Sequence, residues 1–160
     1  MLTDLLLDHK WVTPTILILL VVVGPVAGSH LVDRTSLARV LTAASLLPVA
    51  VLTSIPQDRE LYSRCELTLN VVWPTPSRVE LMANVVLFVA PVLLVAVATG
   101  RPAMALLAGT ALSFAIEAVQ AALPALGRSC DSNDWLTNTM GAVIGAGLGC
   151  TALMMARRPT

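Results

Sequence analysis

Long apolar stretches separated by short polar segments dominate this chain. Five of them are long enough, at roughly 20 residues each, to cross the hydrocarbon core of a bilayer as an α-helix. We predict membrane spans at about residues 13–32, 37–55, 82–99, 103–123 and 135–156. The pattern therefore predicts an all-α fold, a polytopic transmembrane helical bundle of about five spans, with residues 1–160 forming a single membrane domain.

The composition agrees with a membrane protein and excludes one class of function. Hydrophobic residues make up 56% of the 160 residues, charged residues make up 12%, and the mean hydropathy is +0.81. Lys plus Arg and Asp plus Glu number 10 each, so the chain has no excess of basic residues. Because nucleic-acid binding depends on such an excess, we predict no nucleic-acid partner.

Basic residues predict which side of the membrane each connection faces. With alternating spans, one side receives Lys10, Arg59, Arg64, Arg78 and Arg128. The other side receives Arg34, Arg39, Arg101, Arg157 and Arg158. The second set is crowded into short segments beside the span ends, and such crowding is typical of the cytoplasmic side. We predict a multi-pass protein of the cell membrane with its N-terminus outside and its C-terminus in the cytoplasm.

The tryptophans and cysteines agree with this orientation. Indole rings favour the membrane interface, and three of them fall at or near the predicted outer one: Trp11, Trp73 and Trp135. Cys65 and Cys130 lie in connections assigned to the outer side, where disulfides persist. They are either a disulfide pair or two unrelated free thiols. Cys150 lies within the fifth span, where it serves as a small apolar residue.

The fourth span carries one polar stripe on an otherwise apolar helix. Ser113, Glu117 and Gln120 are spaced i, i+4 and i+7 and therefore share a face. A carboxylate inside a membrane span is costly, so its default interpretation is functional. The alternative for Glu117 is a structural ion pair, for which Arg128 is the nearest cation along the chain.

The fifth span begins with a second group of polar residues. Either Asp131 or Ser132 can cap the helix, and Asp134 is placed as the acid of a capping box. Asp134 and Asn138 share a face with Gly141, Gly145 and Gly149 further along. Glycines at this spacing are most simply a groove for a neighbouring helix.

By this topology, seven polar residues gather at the outer ends of the third, fourth and fifth spans. They are Asn84, Glu117, Gln120, Arg128, Asp131, Asp134 and Asn138. We predict that they form one ligand-binding site. Asn84 has a second interpretation as an interhelical hydrogen bond that aids packing. Catalytic roles stay unassigned, with Glu117 and Asp134 as the candidates.

The spacing of these residues resembles that of the VanZ-like family, named after an accessory teicoplanin-resistance membrane protein. The resemblance covers Glu117-x-x-Gln120, then Arg128-x-x-Asp131-x-x-Asp134-x-x-x-Asn138-x-x-Gly141-x-x-x-Gly145, with Asn84-x-x-x-Phe88 upstream. It implies a small polytopic protein of the cell envelope that is associated with resistance to lipoglycopeptide antibiotics. It does not imply a particular reaction.

Three functions are compatible with this pattern. The first is binding of an amphiphile in the outer leaflet, either a membrane lipid, a lipid-linked molecule or a lipoglycopeptide antibiotic. The second is an enzyme that acts on a lipid-linked envelope precursor, with Glu117 or Asp134 as general base and Arg128 stabilising an anion. The third is a small proton-coupled transporter that uses Glu117. We predict no metal and no other cofactor, although carboxylates 117, 131 and 134 offer oxygen ligands for Mg²⁺ or Ca²⁺.

Overall fold

The computed structural model describes residues 9–55, 65–66, 72–75, 77–123 and 127–157. Its helices are α1 (Val12–Leu31), α2 (Thr35–Ser54), α3 (Val79–Thr99), α4 (Pro102–Ala122) and α5 (Ser132–Ala156). All five are long and apolar enough to cross a membrane. The predicted all-α bundle is therefore confirmed. The largest shifts from the expected limits are three residues, at the starts of α3 (79 instead of 82) and α5 (132 instead of 135).

The helix ends follow local chemistry. Gly100 ends α3 in the left-handed conformation, at φ 67°, where a residue without a side chain is favoured. Pro102 then occupies the first turn of α4, where its missing N–H is not needed. This short turn sends α4 back along α3. At the start of α5, Asp131 is the cap, which decides between the two predicted capping residues.

α3 lies at the centre of the bundle and packs against each of the other four helices, and α5 packs against α1, α3 and α4. Near the end of α1, Gly28 faces Ala152 of α5 and Val97 of α3, so α1, α3 and α5 run in the same direction. α2 and α4 run in the opposite direction. We call the end formed by the starts of α1, α3 and α5 and the last turns of α2 and α4 the site end.

Apolar side chains cover the outside of the bundle. Ile18 and Val22 on α1 and Val40 and Leu47 on α2 each expose between 63% and 65% of their surface. Such contiguous exposed apolar surface is normal for a protein whose surroundings are lipid chains. Five polar side chains are instead buried within α4 and α5: Ser113, Glu117, Gln120, Thr137 and Asn138.

The predicted glycine groove on α5 is confirmed as the contact surface for α3. A methyl group added at Gly145 would lie 2.5 Å from the carbonyl oxygen of Val89, and one added at Gly149 would lie 2.5 Å from Cβ of Ala96. One added at Gly141 would overlap the carbonyl oxygen of Val85. The two helices therefore approach closely because α5 has no side chain at Gly141, Gly145 or Gly149.

We expect Gly145→Ala to lower the free energy of unfolding by about 2 kcal/mol, because the added methyl group forces α3 and α5 apart. Gly147→Ala is the matched control, since nothing lies within 4 Å of the position where its methyl group would be. SDS titration of the purified protein in detergent measures both. Equal unfolding midpoints for the two variants would contradict the close packing of α3 on α5.

Candidate functional site

The polar stripe of α4 faces the inside of the bundle. Ser113, Glu117 and Gln120 are all buried, with 0%, 8% and 6% of their surfaces exposed. Opposite Ser113, Asn138 of α5 is also buried, and its Nδ2 donates a hydrogen bond of 3.0 Å to the Ser113 hydroxyl. The side-chain oxygen of Asn138 has no hydrogen-bond partner among the residues that the structure describes. The stripe thus joins α4 to α5 through a buried polar contact.

The Glu117 carboxylate binds the backbone at the start of α5. Its Oε2 accepts a hydrogen bond of 2.8 Å from the backbone N–H of Asp131. The field of a helix N-terminus favours a negative group at this position. Arg128 lies within electrostatic range of Glu117. The carboxylate therefore fixes the turn that precedes α5 against the last turns of α4.

Asp131 caps α5. Its side chain accepts a hydrogen bond of 2.8 Å from the backbone N–H of Asn133, which satisfies one of the free donors at the helix start. The Asp131 side chain is half-buried. The neighbouring Ser132 hydroxyl donates to the carbonyl of Glu66 at 3.3 Å. Both residues hold the start of α5 in place.

Asp134 connects α5 to α3. Its Oδ1 accepts a hydrogen bond of 2.8 Å from Nδ2 of Asn84. Asn84 thus makes an interhelical hydrogen bond, as its packing interpretation predicted. Asp131, Glu80 and Arg128 lie within electrostatic range of the Asp134 carboxylate. Charges from α3, α5 and the turn before α5 therefore act on one another at the site end.

Gln120 and Arg128 reach the end of α2. Nε2 of Gln120 donates to the carbonyl of Thr53 at 3.5 Å, and Nε of Arg128 donates to the carbonyl of Ile55 at 3.3 Å. These carbonyls have no partner within their own helix because they lie at its C-terminal end. The two contacts satisfy them and bring α2 to the site end.

The connection between α2 and α3 is tied to the start of α5. Cys65 and Cys130 form a disulfide, with their Cα atoms 4.5 Å apart, so the paired alternative is the one that the structure contains. Two short strands, β1 (Cys65–Glu66) and β2 (Cys130–Asp131), pair in parallel at the same place. The backbone N–H of Val72 donates to the side-chain oxygen of Asn133 at 3.0 Å. We call the described parts of this connection, residues 65–66 and 72–75, the strap.

A cleft of about 380 Å³ opens between the strap and the starts of α3 and α5. It is lined by Val72, Ser77, Arg78, Val79, Glu80, Leu81, Asp131 and Asn133. Of the seven predicted site residues, all of which the structure describes, Asp131 lines this cleft and the other six do not. The six instead make contacts that join α2, α3, α4 and the start of α5 to one another. The cleft itself combines charges of both signs.

Seven of the eight residues that line the cleft were not among the predicted site residues, and they include Arg78, Glu80 and Asn133. Arg78 and Glu80 flank the first residue of α3. Two charges at the start of an apolar helix were a sequence signal that could have pointed to these residues. Asn133 had no comparable signal, because an asparagine near a helix start is explained by capping alone. Among the described residues, no group of three His, Cys, Asp or Glu side chains is placed to hold a metal ion.

These observations define a multi-pass α-helical membrane protein whose buried polar side chains lie towards one end of the bundle. The family model of VanZ/LLP1 matches residues 11–154. The chain therefore belongs to the VanZ/LLP1 family, which confirms the family predicted from the sequence. No curated protein and no solved structure matches the chain.

Proposed function

We propose that this protein binds an amphiphilic ligand at the site end, on the extracytoplasmic side of the cell membrane, and thereby contributes to resistance to teicoplanin-like lipoglycopeptides. The ligand is a membrane lipid, a lipid-linked envelope molecule or the antibiotic itself. Membership in the VanZ/LLP1 family supports a role in the cell envelope. The cleft of mixed charge at the site end is the observation that carries the proposal.

In this proposal the N-terminus lies outside and the C-terminus lies in the cytoplasm. The disulfide between Cys65 and Cys130 supports it, because disulfides persist in oxidising compartments. Trp11, Trp73 and Trp135 also lie at the site end and are exposed. Exposed indoles at one end of a bundle mark a membrane interface.

The hydrogen bonds of Glu117 and Asp134 agree better with a binding function than with catalysis. Glu117 accepts a hydrogen bond from the backbone of Asp131, and Asp134 accepts one from Asn84. Both contacts join helices to one another, which is a positioning role. The candidate groups of an enzyme would instead have to contact the ligand. In the proposed function the cleft recognises the head group, while the two carboxylates hold the cleft walls in place.

The test is the teicoplanin susceptibility of a sensitive Gram-positive host that expresses the wild type or Asp131→Asn at matched membrane levels. Asparagine also caps helices, so Asp131→Asn removes the charge and keeps the cap. We expect the wild type to raise the inhibitory concentration several-fold over the empty vector and Asp131→Asn to abolish most of that increase. Vancomycin, a glycopeptide without a lipid tail, is the control drug and should show a much smaller increase.

Equal teicoplanin susceptibility in the wild-type and empty-vector strains would remove the resistance assignment. An equal increase for teicoplanin and vancomycin would contradict recognition of an amphiphile. A fully active Asp131→Asn would place the binding surface elsewhere.

A further inference from the structure

We infer that the cleft takes a head group in which a protonated amine with N–H donors lies next to a phosphate or carboxylate. This inference rests on the proposed function, because it names the chemical class of the ligand that the site end binds. The observations that carry it are the shape, the depth and the charges of the cleft.

The cleft lies at the depth of lipid head groups. Its walls are the first turn of α3, the start of α5 and Val72 of the strap. Val72 is held there by its hydrogen bond to Asn133. Trp73, the next residue, exposes 67% of its surface, and indole rings prefer the head-group region of a bilayer. A molecule anchored by its acyl chains beside the bundle therefore presents its head group to this cleft.

Carboxylates on two walls of the cleft favour an ammonium group. Glu80 lines it from α3 and Asp131 lines it from the start of α5. An ionised carboxylate offers about four acceptor positions, and the backbone N–H of Asn133 occupies one on Asp131. A primary ammonium satisfies these acceptors with its three N–H donors.

Arg78 supplies the complementary charge. It lines the same cleft, two residues before Glu80, and its guanidinium binds phosphate or carboxylate oxygens through paired N–H donors. A head group with an anionic group close to its ammonium can therefore contact Arg78 and the carboxylates at the same time. Phosphatidylethanolamine has this arrangement. Phosphatidylcholine has the same phosphate, but its quaternary ammonium has no N–H to donate.

Native mass spectrometry of the purified protein with defined lipids tests this inference. The probes are phosphatidylethanolamine, phosphatidylcholine and phosphatidylglycerol with identical acyl chains. We expect phosphatidylethanolamine to bind about tenfold more tightly than either of the others, as charge-assisted hydrogen bonds to the ammonium imply. Glu80→Gln combined with Asp131→Asn should reduce it to the level of phosphatidylcholine, while Arg78→Gln should weaken all three lipids.

A matched control is available at the opposite end of the bundle. Asp33 lines a separate cleft of about 440 Å³ together with Arg157 and the end of α3. Asp33→Asn changes one exposed carboxylate to its amide there, and we expect it to leave the preference for phosphatidylethanolamine unchanged. Unfolding midpoints in SDS, measured on every variant, separate lost binding from lost folding. If the double variant unfolds at a lower SDS concentration than the wild type, Glu80→Gln alone replaces it, because the side chain of Glu80 is exposed.

Teicoplanin, which carries an amine and a carboxylate, distinguishes the source of the head group. The antibiotic is a ligand, and the inference is supported, if teicoplanin displaces phosphatidylethanolamine. The same holds if teicoplanin alone binds tightly and this binding is lost in Glu80→Gln with Asp131→Asn. Tight binding of phosphatidylethanolamine that teicoplanin does not displace supports it with a lipid as the ligand.

The inference is overturned if the protein shows no preference for a ligand with N–H donors, whether lipid or antibiotic. It is also overturned if that preference persists in the double variant. This outcome is separable from failure of the proposed function. Loss of the amine preference in a protein that still raises teicoplanin resistance overturns the head-group assignment alone. A retained preference in a protein that gives no resistance overturns the resistance assignment alone.

Discussion

Replacing both Cys65 and Cys130 by serine is expected to lower the free energy of unfolding by about 3 kcal/mol, because the disulfide restricts the unfolded chain. The two cysteines are separated by 65 residues, and the loop that they close contains both α3 and α4. The disulfide also holds the strap against the start of α5, where Val72 forms a wall of the cleft. We therefore expect the double variant to lose stability and, on the proposed function, teicoplanin resistance as well.

Cys150→Ser is the matched control for this experiment. Cys150 is a free and exposed thiol within α5, so its replacement should change neither property. SDS titration with and without dithiothreitol provides a second comparison, in which the reduced wild type should unfold like the double variant. A double variant as stable as the oxidised wild type would contradict the structural role of the disulfide.

Glu117→Leu is expected to cost about 2 kcal/mol, because it leaves the backbone N–H of Asp131 without its acceptor inside the protein. Glu117→Gln should cost much less, since its side-chain oxygen can accept the same hydrogen bond. On the proposed binding function, Glu117→Gln also keeps most of the teicoplanin resistance, whereas Glu117→Leu loses it. Unfolding midpoints and inhibitory concentrations at matched membrane levels measure the two effects.

The glutamine variant decides between binding and chemistry. A well-folded Glu117→Gln that gives no resistance would indicate that Glu117 exchanges a proton, as an enzyme or a proton-coupled transporter requires. Mass spectrometry of membrane lipids from the two strains would then detect an altered lipid-linked product if the protein is an enzyme. Equal stability of the leucine and glutamine variants would contradict the contact between Glu117 and Asp131.

Helices and their contact faces could be predicted from the sequence because both are periodic. A run of about 20 apolar residues has one stable structure in a bilayer, an α-helix that satisfies its own backbone. Gly141, Gly145 and Gly149 repeat every four residues, which places them on one face and predicts a close neighbour. The sequence does not specify which helix fills that groove, and the structure identifies it as α3.

Contacts of the site were harder to predict, because several are made to backbone groups. The partner of Glu117 is a backbone N–H, the partners of Gln120 and Arg128 are backbone carbonyls, and such groups leave no pattern in a sequence. The charges of Arg78 and Glu80 were visible but resemble ordinary solvated residues at a helix end. They become part of a site only because Val72 of the strap and the start of α5 form a cleft with the start of α3.

The central claim is that the polar site end faces the outside of the cell. Labelling of one introduced cysteine at a time with a membrane-impermeant maleimide in intact cells tests it most directly, in a Cys150→Ser background where Cys65 and Cys130 stay disulfide-bonded. Ser77 lies beside the cleft and Ser36 lies in the first turn of α2 at the opposite end, and both are exposed. We expect Ser77→Cys to be labelled in intact cells and Ser36→Cys only after the membrane is permeabilised. Labelling of Ser36→Cys in intact cells, with Ser77→Cys protected, would contradict the account.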